Sequence, residues 1–179
     1  MEKEADFWTY LLIENVNFLL RKQEDQGIHT NIISIDEIVR EVINQVSKTA
    51  DIKIDNESIN FVQNLLQEKG IGTTLWEIKK GYVVPITSLA DIFLKKAEKL
   101  FSEERKRFQS VLSIDELIRE VIVYFSIIIR ESIADENKNG LLTIFDRICA
   151  EYKYFRKIKK DYVIFDENGR NRLKELTKL

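Results

Sequence analysis

Arg156, Lys157, Lys159 and Lys160 crowd four positive charges into five residues. Guanidinium and ammonium groups gathered at a turn are the chemistry that holds phosphate oxygens; a solvated Lys-rich turn is the plainer reading of the same letters. Asp135-Glu136-Asn137-Lys138-Asn139-Gly140 has the D-x-N-x-N-G spacing that opens a calcium loop, with Leu142 apolar and Asp146 at the twelfth position. An Asp reaches a cation less well there than a bidentate Glu, and a polar Asn-Gly turn between helices explains the stretch without an ion. Cys149, between Ile148 and Ala150, takes an apolar helical position and reads as a small core residue. With His29 the lone histidine, no closed zinc site can be assembled. Gly70-Ile71-Gly72 lacks the third glycine and the preceding strand of a dinucleotide turn, and no Gly-Lys-Ser/Thr phosphate loop occurs. The expectation is a protein with no catalytic residue, no metal, no cofactor and no evident small-molecule substrate.

The elements around these residues follow from composition and pattern. In 179 residues there are only six Gly and one Pro, and 44% of the chain is hydrophobic, which predicts a globular, mainly helical protein with little flexible linker. The acidic start Met1–Asp6 lacks the positive region of an export signal. No apolar run approaches the roughly 20 residues of a membrane span, and a single cysteine excludes an internal disulfide, so a reducing cytoplasmic setting is expected. Residues 1–98 carry a net charge of −5 and residues 99–179 a net charge of +3, so any contact with nucleic acid should be local rather than made by the whole surface.

Ser34–Ile43, SIDEIVREVI, returns as Ser113–Ile122, SIDELIREVI, with eight of ten letters shared and an offset of 79 residues. Ile78-Lys79-Lys80-Gly81-Tyr82-Val83 returns at an offset of 80 as Ile158-Lys159-Lys160-Asp161-Tyr162-Val163. A period near 80 is the size of a small domain and predicts an internal duplication. Ser34 with Glu37, and Ser113 with Glu116, have the spacing of a helix-capping box. The apolar residues beyond each box recur with the period of one buried helical face. Each unit is predicted as helix, helix, helix, hairpin, helix. The helices fall at about 5–22, 34–46, 56–69 and 88–107, then from 113 onward, at 139–153 and at 167–176. The hairpins fall at 75–84 and 154–165. The division is expected at 1–101 and 102–179, with the helix around 88–107 shared. The fold class is mainly α with short β-hairpins.

Tyr162, Gly169 and Leu173, after the second hairpin, resemble the wing strand and following helix of winged-helix domains, with Phe165 where Thr is usual and Tyr82, Leu89 and Phe93 at the first copy's positions. The resemblance implies two winged-helix-like units in tandem. Winged-helix domains that read DNA place the third helix in the major groove. Here Asn56–Lys69 holds two acids, one Lys and no Arg, and the counterpart balances Arg147 and Lys153 against Asp146 and Glu151. Such helices argue against base readout; Arg156, Lys157, Lys159 and Lys160 are the candidate phosphate contacts. Val123–Ile129 is apolar nearly all round, which fits either a central helix between the units or a subunit interface, and the opening helix is rich in aromatic residues; Phe7, Trp8, Tyr10, Leu11, Val123, Tyr124, Ile127 and Ile128 are the candidate partner interface. Size, repetition, acidity and poor third helices make the chain similar to the kite proteins. These are tandem winged-helix subunits that bind kleisins in chromosome-condensing and plasmid- or phage-defence complexes. The resemblance implies a kleisin or structural-maintenance ATPase as partner. A dimeric winged-helix transcriptional regulator is the alternative, and an enzyme whose site is invisible in the sequence is a third.

Overall fold

The computed structural model describes residues 2–50, 53–105, 111–131, 133 and 136–178, the side chains of 2–6, 104, 105 and 136 excepted. They form two compact units, Met1–Ile86 and Thr87–Leu179. The first contains α1 (Glu2–Asp25), β1 (Ile33–Ser34), α2 (Ile35–Ala50), α3 (Asn56–Leu65) prolonged by a π-helical turn at Leu66–Gly70, β2 (Leu75–Lys79) and β3 (Tyr82–Pro85). The second contains α4 (Ile86–Arg105), β4 (Leu112–Ser113), α5 (Ile114–Ile129), α6 (Glu136–Tyr152), β5 (Phe155–Ile158), β6 (Tyr162–Phe165) and α7 (Glu167–Thr177). The protein is therefore mainly α, with two small antiparallel three-stranded sheets in the orders β1-β3-β2 and β4-β6-β5. Among the described residues no helix is long and apolar enough to cross a membrane.

The two repeated stretches of sequence are the two that touch. Ser34 pairs with Tyr82 and Ile33 with Val83 in the first sheet, as Ser113 pairs with Tyr162 and Leu112 with Val163 in the second. The first helical N–H of each motif then donates to the hairpin turn: Ile35 N to Gly81 O at 2.8 Å, and Ile114 N to Asp161 O at 2.9 Å. One of the orphan N–H groups at each helix start is thereby satisfied by the hairpin. Ser113 also accepts from Glu116 N at 3.4 Å, the serine half of the expected capping box. The two-residue strands β1 and β4 are too short to leave an alternating pattern, so the sequence shows only the helix after each of them.

In unit 1 the core is a continuous cluster from Leu11, Leu12, Val16 and Leu19 of α1, through Ile38, Val39 and Val42 of α2, to Val62, Leu65 and Leu66. Asn15, the one buried polar side chain among the described residues, donates to Leu11 O and to Gln45 Oε1, both at 2.8 Å, tying α1 to α2 without leaving its amide hydrogens orphaned. In unit 2 the aromatic rings of Phe93, Phe145 and Phe155 pack in sequence through the interior in tilted pairs, with centroids 4.9 and 5.4 Å apart. Asp91 of α4 takes a two-pronged hydrogen bond from Arg172 of α7, at 2.9 and 2.8 Å.

The two units divide at 86/87, and Asp91 and Phe93 bind α4 to residues of unit 2, so that α4 opens that unit as α1 opens the first. One expectation needs correcting. Asn139 and Gly140 do not form a turn but lie inside α6, which begins at Glu136. Leu141, Ile144, Phe145 and Ile148 are buried at helical spacing there, and that burial outweighs the turn preference of Asn-Gly. The supposed calcium loop is consequently helical over its described part, Asp135 lying outside the described residues, and the Asp146 carboxylate is held by Lys157 Nζ. Among the described residues no group of three or more His, Cys, Asp or Glu could hold a metal ion.

Candidate functional site

The hairpin β5–β6 carries the four cations, and the pleat separates them. Alternate residues of a strand point to opposite faces, so Lys157 shares the face of the buried Phe155, on which it reaches Asp146 of α6, whereas Arg156 points away from it. Arg156, Lys159 and Lys160 are exposed and have no ion-pair partner among the described residues. Lys159 takes a left-handed backbone conformation, φ 56°, at the turn. Among the described residues the patch is thus two unpaired cations at the turn, Lys159 and Lys160, a third on β5, Arg156, and one, Lys157, that is neutralised. On the third helix of unit 2 the charges are likewise occupied: Arg147 Nε bonds Glu151 at 2.7 Å and Lys138 bonds Asp115 at 2.6 Å. The Asp115 carboxyl lies below its usual range, chiefly because Lys138 hydrogen-bonds it, with a smaller contribution from the Arg119 charge. Both bridges hold cations that phosphates would otherwise attract.

The residues just beyond the repeated motif have equivalent places in the two units and different jobs. Gln45 of α2 bonds Asn15 of α1. Its counterpart Tyr124 of α5 is half-buried beneath Lys96 of α4, whose Nζ lies 4.4 Å from the ring centroid. Burial is the largest influence lowering the Lys96 pKa, and burial also pushes the Tyr124 hydroxyl up. Phe125 is wholly buried. Val123 and Ile127, one turn apart, are left 51% and 70% exposed, and Ile128 is half-buried beside them. The matching positions of α2 are Asn44 and Lys48. One helix of the repeat therefore shows water an apolar face where the other shows a polar one.

On α1, Phe7 and Tyr10 are exposed at 56% and 60%, and Tyr10 donates to Glu14 at 2.7 Å. Trp8 is half-buried and meets Phe7 and Phe61 edge-on at 5.7 and 5.2 Å. Leu11 is 5% exposed in the core of unit 1, so it does not belong to a partner surface; Phe7, one turn before it, and Tyr10, its chain neighbour, are exposed at the edge of that buried face. Sequence reasoning missed Ile54 and Phe61, both large, apolar and nearly half exposed. The one available signal was an aromatic residue set between the polar Asn60 and Asn64.

Cys149 is half-buried in α6, and burial pushes its thiol up to about 11. The thiolate is the reactive form, so at pH 8 the folded protein should react with iodoacetamide far more slowly than the denatured chain. Mass spectrometry of the alkylated protein checks this; equal labelling rates in the two states would contradict the placement.

Comparison with family models, with curated proteins and with solved structures finds no match.

Proposed function

We propose that the chain is a non-catalytic, cytoplasmic subunit of two winged-helix units in tandem that works by binding protein partners. Three helices followed by a two-stranded wing, repeated with the same strand order, support the winged-helix reading. The observation that carries the partner-binding reading is the apolar face Val123–Ile127 on α5, placed where the sister helix carries Asn44 and Lys48. Exposed apolar side chains at one position of a repeat, and polar ones at the other, mark a surface set apart for contact. The resemblance to kite proteins names the partner: a kleisin or a structural-maintenance ATPase of a chromosome-maintenance or defence complex.

Affinity capture from the native host, followed by mass spectrometry, tests this. The expected outcome is co-recovery of a large ATPase complex that is lost when Val123 and Ile127 are both changed to Glu, two substitutions that leave the core untouched. Recovery of the chain alone in both cases refutes the proposal. DNA contact is a secondary role of the exposed tip Arg156, Lys159 and Lys160. Binding should be weak, independent of sequence and lost by charge reversal at those three positions, with about 0.9 of a unit of log-log salt slope per phosphate contact removed. Tight binding to one sequence would favour the transcriptional regulator instead.

A further inference from the structure

A cleft in unit 1 belongs to neither of these surfaces. The last two turns of α2, residues 53–54, the start of α3 and Trp8 of α1 line a half-open cleft of about 430 Å³, within the few-hundred-Å³ range of small-molecule sites. Its floor is apolar and buried, from Ile43 and Val62. Its walls are Ile54 and Phe61, which remain 46% and 48% exposed. Trp8 is also in the lining, its ring edge-on to Phe61 at 5.2 Å and 71°. An apolar occupant would remove this surface from water and pack against the two aromatic rings.

The polar groups of the lining narrow the occupant further. Among the described residues of the lining Lys53 and Glu57 carry opposite charges, which together favour neither anion nor cation. Ser47 Oγ donates to Asn44 O at 3.0 Å and Ser58 Oγ donates to Asp55 Oδ1 at 2.8 Å. A hydroxyl has one donor and two acceptor sites. Both serines have spent their donor inside the protein and can offer a ligand only lone pairs. We infer that this cavity is a binding site for a neutral aromatic small molecule that carries a hydroxyl or amino hydrogen-bond donor. The ring fills the space between Trp8, Ile54 and Phe61, and the donor reaches Ser47 or Ser58. This assignment is independent of the partner-binding surface on α5.

Two tryptophans make the test direct, because Trp8 lines the cavity and Trp76 does not. The full chain, labelled with ¹⁵N, is titrated with 2-naphthol while the two indole N–H signals are followed by NMR. A saturable one-to-one shift of the Trp8 signal is expected, with Trp76 unmoved. 2-Methoxynaphthalene, which lacks the donor, should bind about fivefold more weakly, the worth of one net hydrogen bond. Naphthalene-2-sulfonate should gain nothing from its charge. Ser47→Phe, which fills the cavity, and Ile54→Glu, which charges an exposed wall without disturbing the core, should each abolish the shift, whereas Ile127→Ser in unit 2 should leave it intact. The inference is overturned by the absence of a saturable shift, by unchanged affinity in a folded Ser47→Phe or Ile54→Glu variant, or by a preference for the ether or the sulfonate over the naphthol.

Discussion

Phe145→Ala is expected to destabilise unit 2 by about 3–5 kcal/mol, the usual cost of deleting a fully buried phenyl ring from a core that relaxes only in part. Phe145 has no solvent exposure, and its ring lies between Phe93 of α4 and Phe155 of β5, with centroids 4.9 and 5.4 Å away. Its removal loses the hydrophobic transfer of the ring and two aromatic contacts at once, in the position that joins the first helix of the unit to its third helix and its hairpin. Both tryptophans lie in unit 1, so tryptophan fluorescence follows unit 1 while far-UV circular dichroism follows both. In a urea titration the dichroism component that fluorescence does not report should move to markedly lower denaturant. A shift under about 1 kcal/mol would mean that the three rings do not pack as a unit.

The second large effect is expected at Gly169. A Cβ built there would stand 2.2 Å from Tyr154 O and 3.0 Å from Tyr154 C. These are backbone atoms, with no rotamer to give way, and the same carbonyl accepts a 2.9 Å hydrogen bond from Asp166 N. Gly169→Ala must therefore push α7 away from the hairpin edge, strain the Asp166 bond and loosen the Arg172–Asp91 fork one turn further on. About 1–3 kcal/mol is the normal penalty of such overpacking. The expectation runs against helix propensity, which on its own would make alanine the better residue inside α7 by about 1 kcal/mol. The sign of the measured change thus decides between the two effects. Amide hydrogen exchange should locate the damage, with faster exchange in α7 and no change in α1–α3. A neutral or stabilising Gly169→Ala would show that α7 does not approach the hairpin so closely.

Gly169 also shows how far a resemblance can carry. In the sequence it is one matched letter between Tyr162 and Leu173. In the structure it is the point where a helix meets a strand-end carbonyl at a distance that only a hydrogen atom fits. The interface candidates divide in a similar way. Phe7, Tyr10, Val123 and Ile127 are exposed, Trp8, Tyr124 and Ile128 are partly covered, and Leu11 is core. Periodicity assigns residues to a face of a helix, but an aromatic-rich helix has two apolar faces, and only the packing of α1 against α2 decides which one water meets. The basic hairpin divides too, because Arg156 and Lys157 point to opposite faces of β5 while Lys159 and Lys160 lie in the turn, and Lys157 reaches an aspartate eleven residues earlier in the chain.

The sequence by itself determined the local and repetitive parts of this protein. Capping serines, helical spacing and β-branched runs are interactions between residues a few places apart, so they can be read from neighbours. The repeat of SIDEIVREVI and of Ile-Lys-Lys marks two units without any knowledge of their packing. Only the tertiary structure decided why those two stretches are the ones repeated: they pair with each other across nearly fifty residues, through two-residue strands that leave no pattern and through a helix N–H donated to a hairpin carbonyl. It also decided that α4 belongs to unit 2, that Asn139-Gly140 is helical, and that Trp8, Ile54 and Phe61 meet around a cavity. Each of these depends on contacts between residues distant in the chain, whose free energy outweighs local preference and is not written in any one segment.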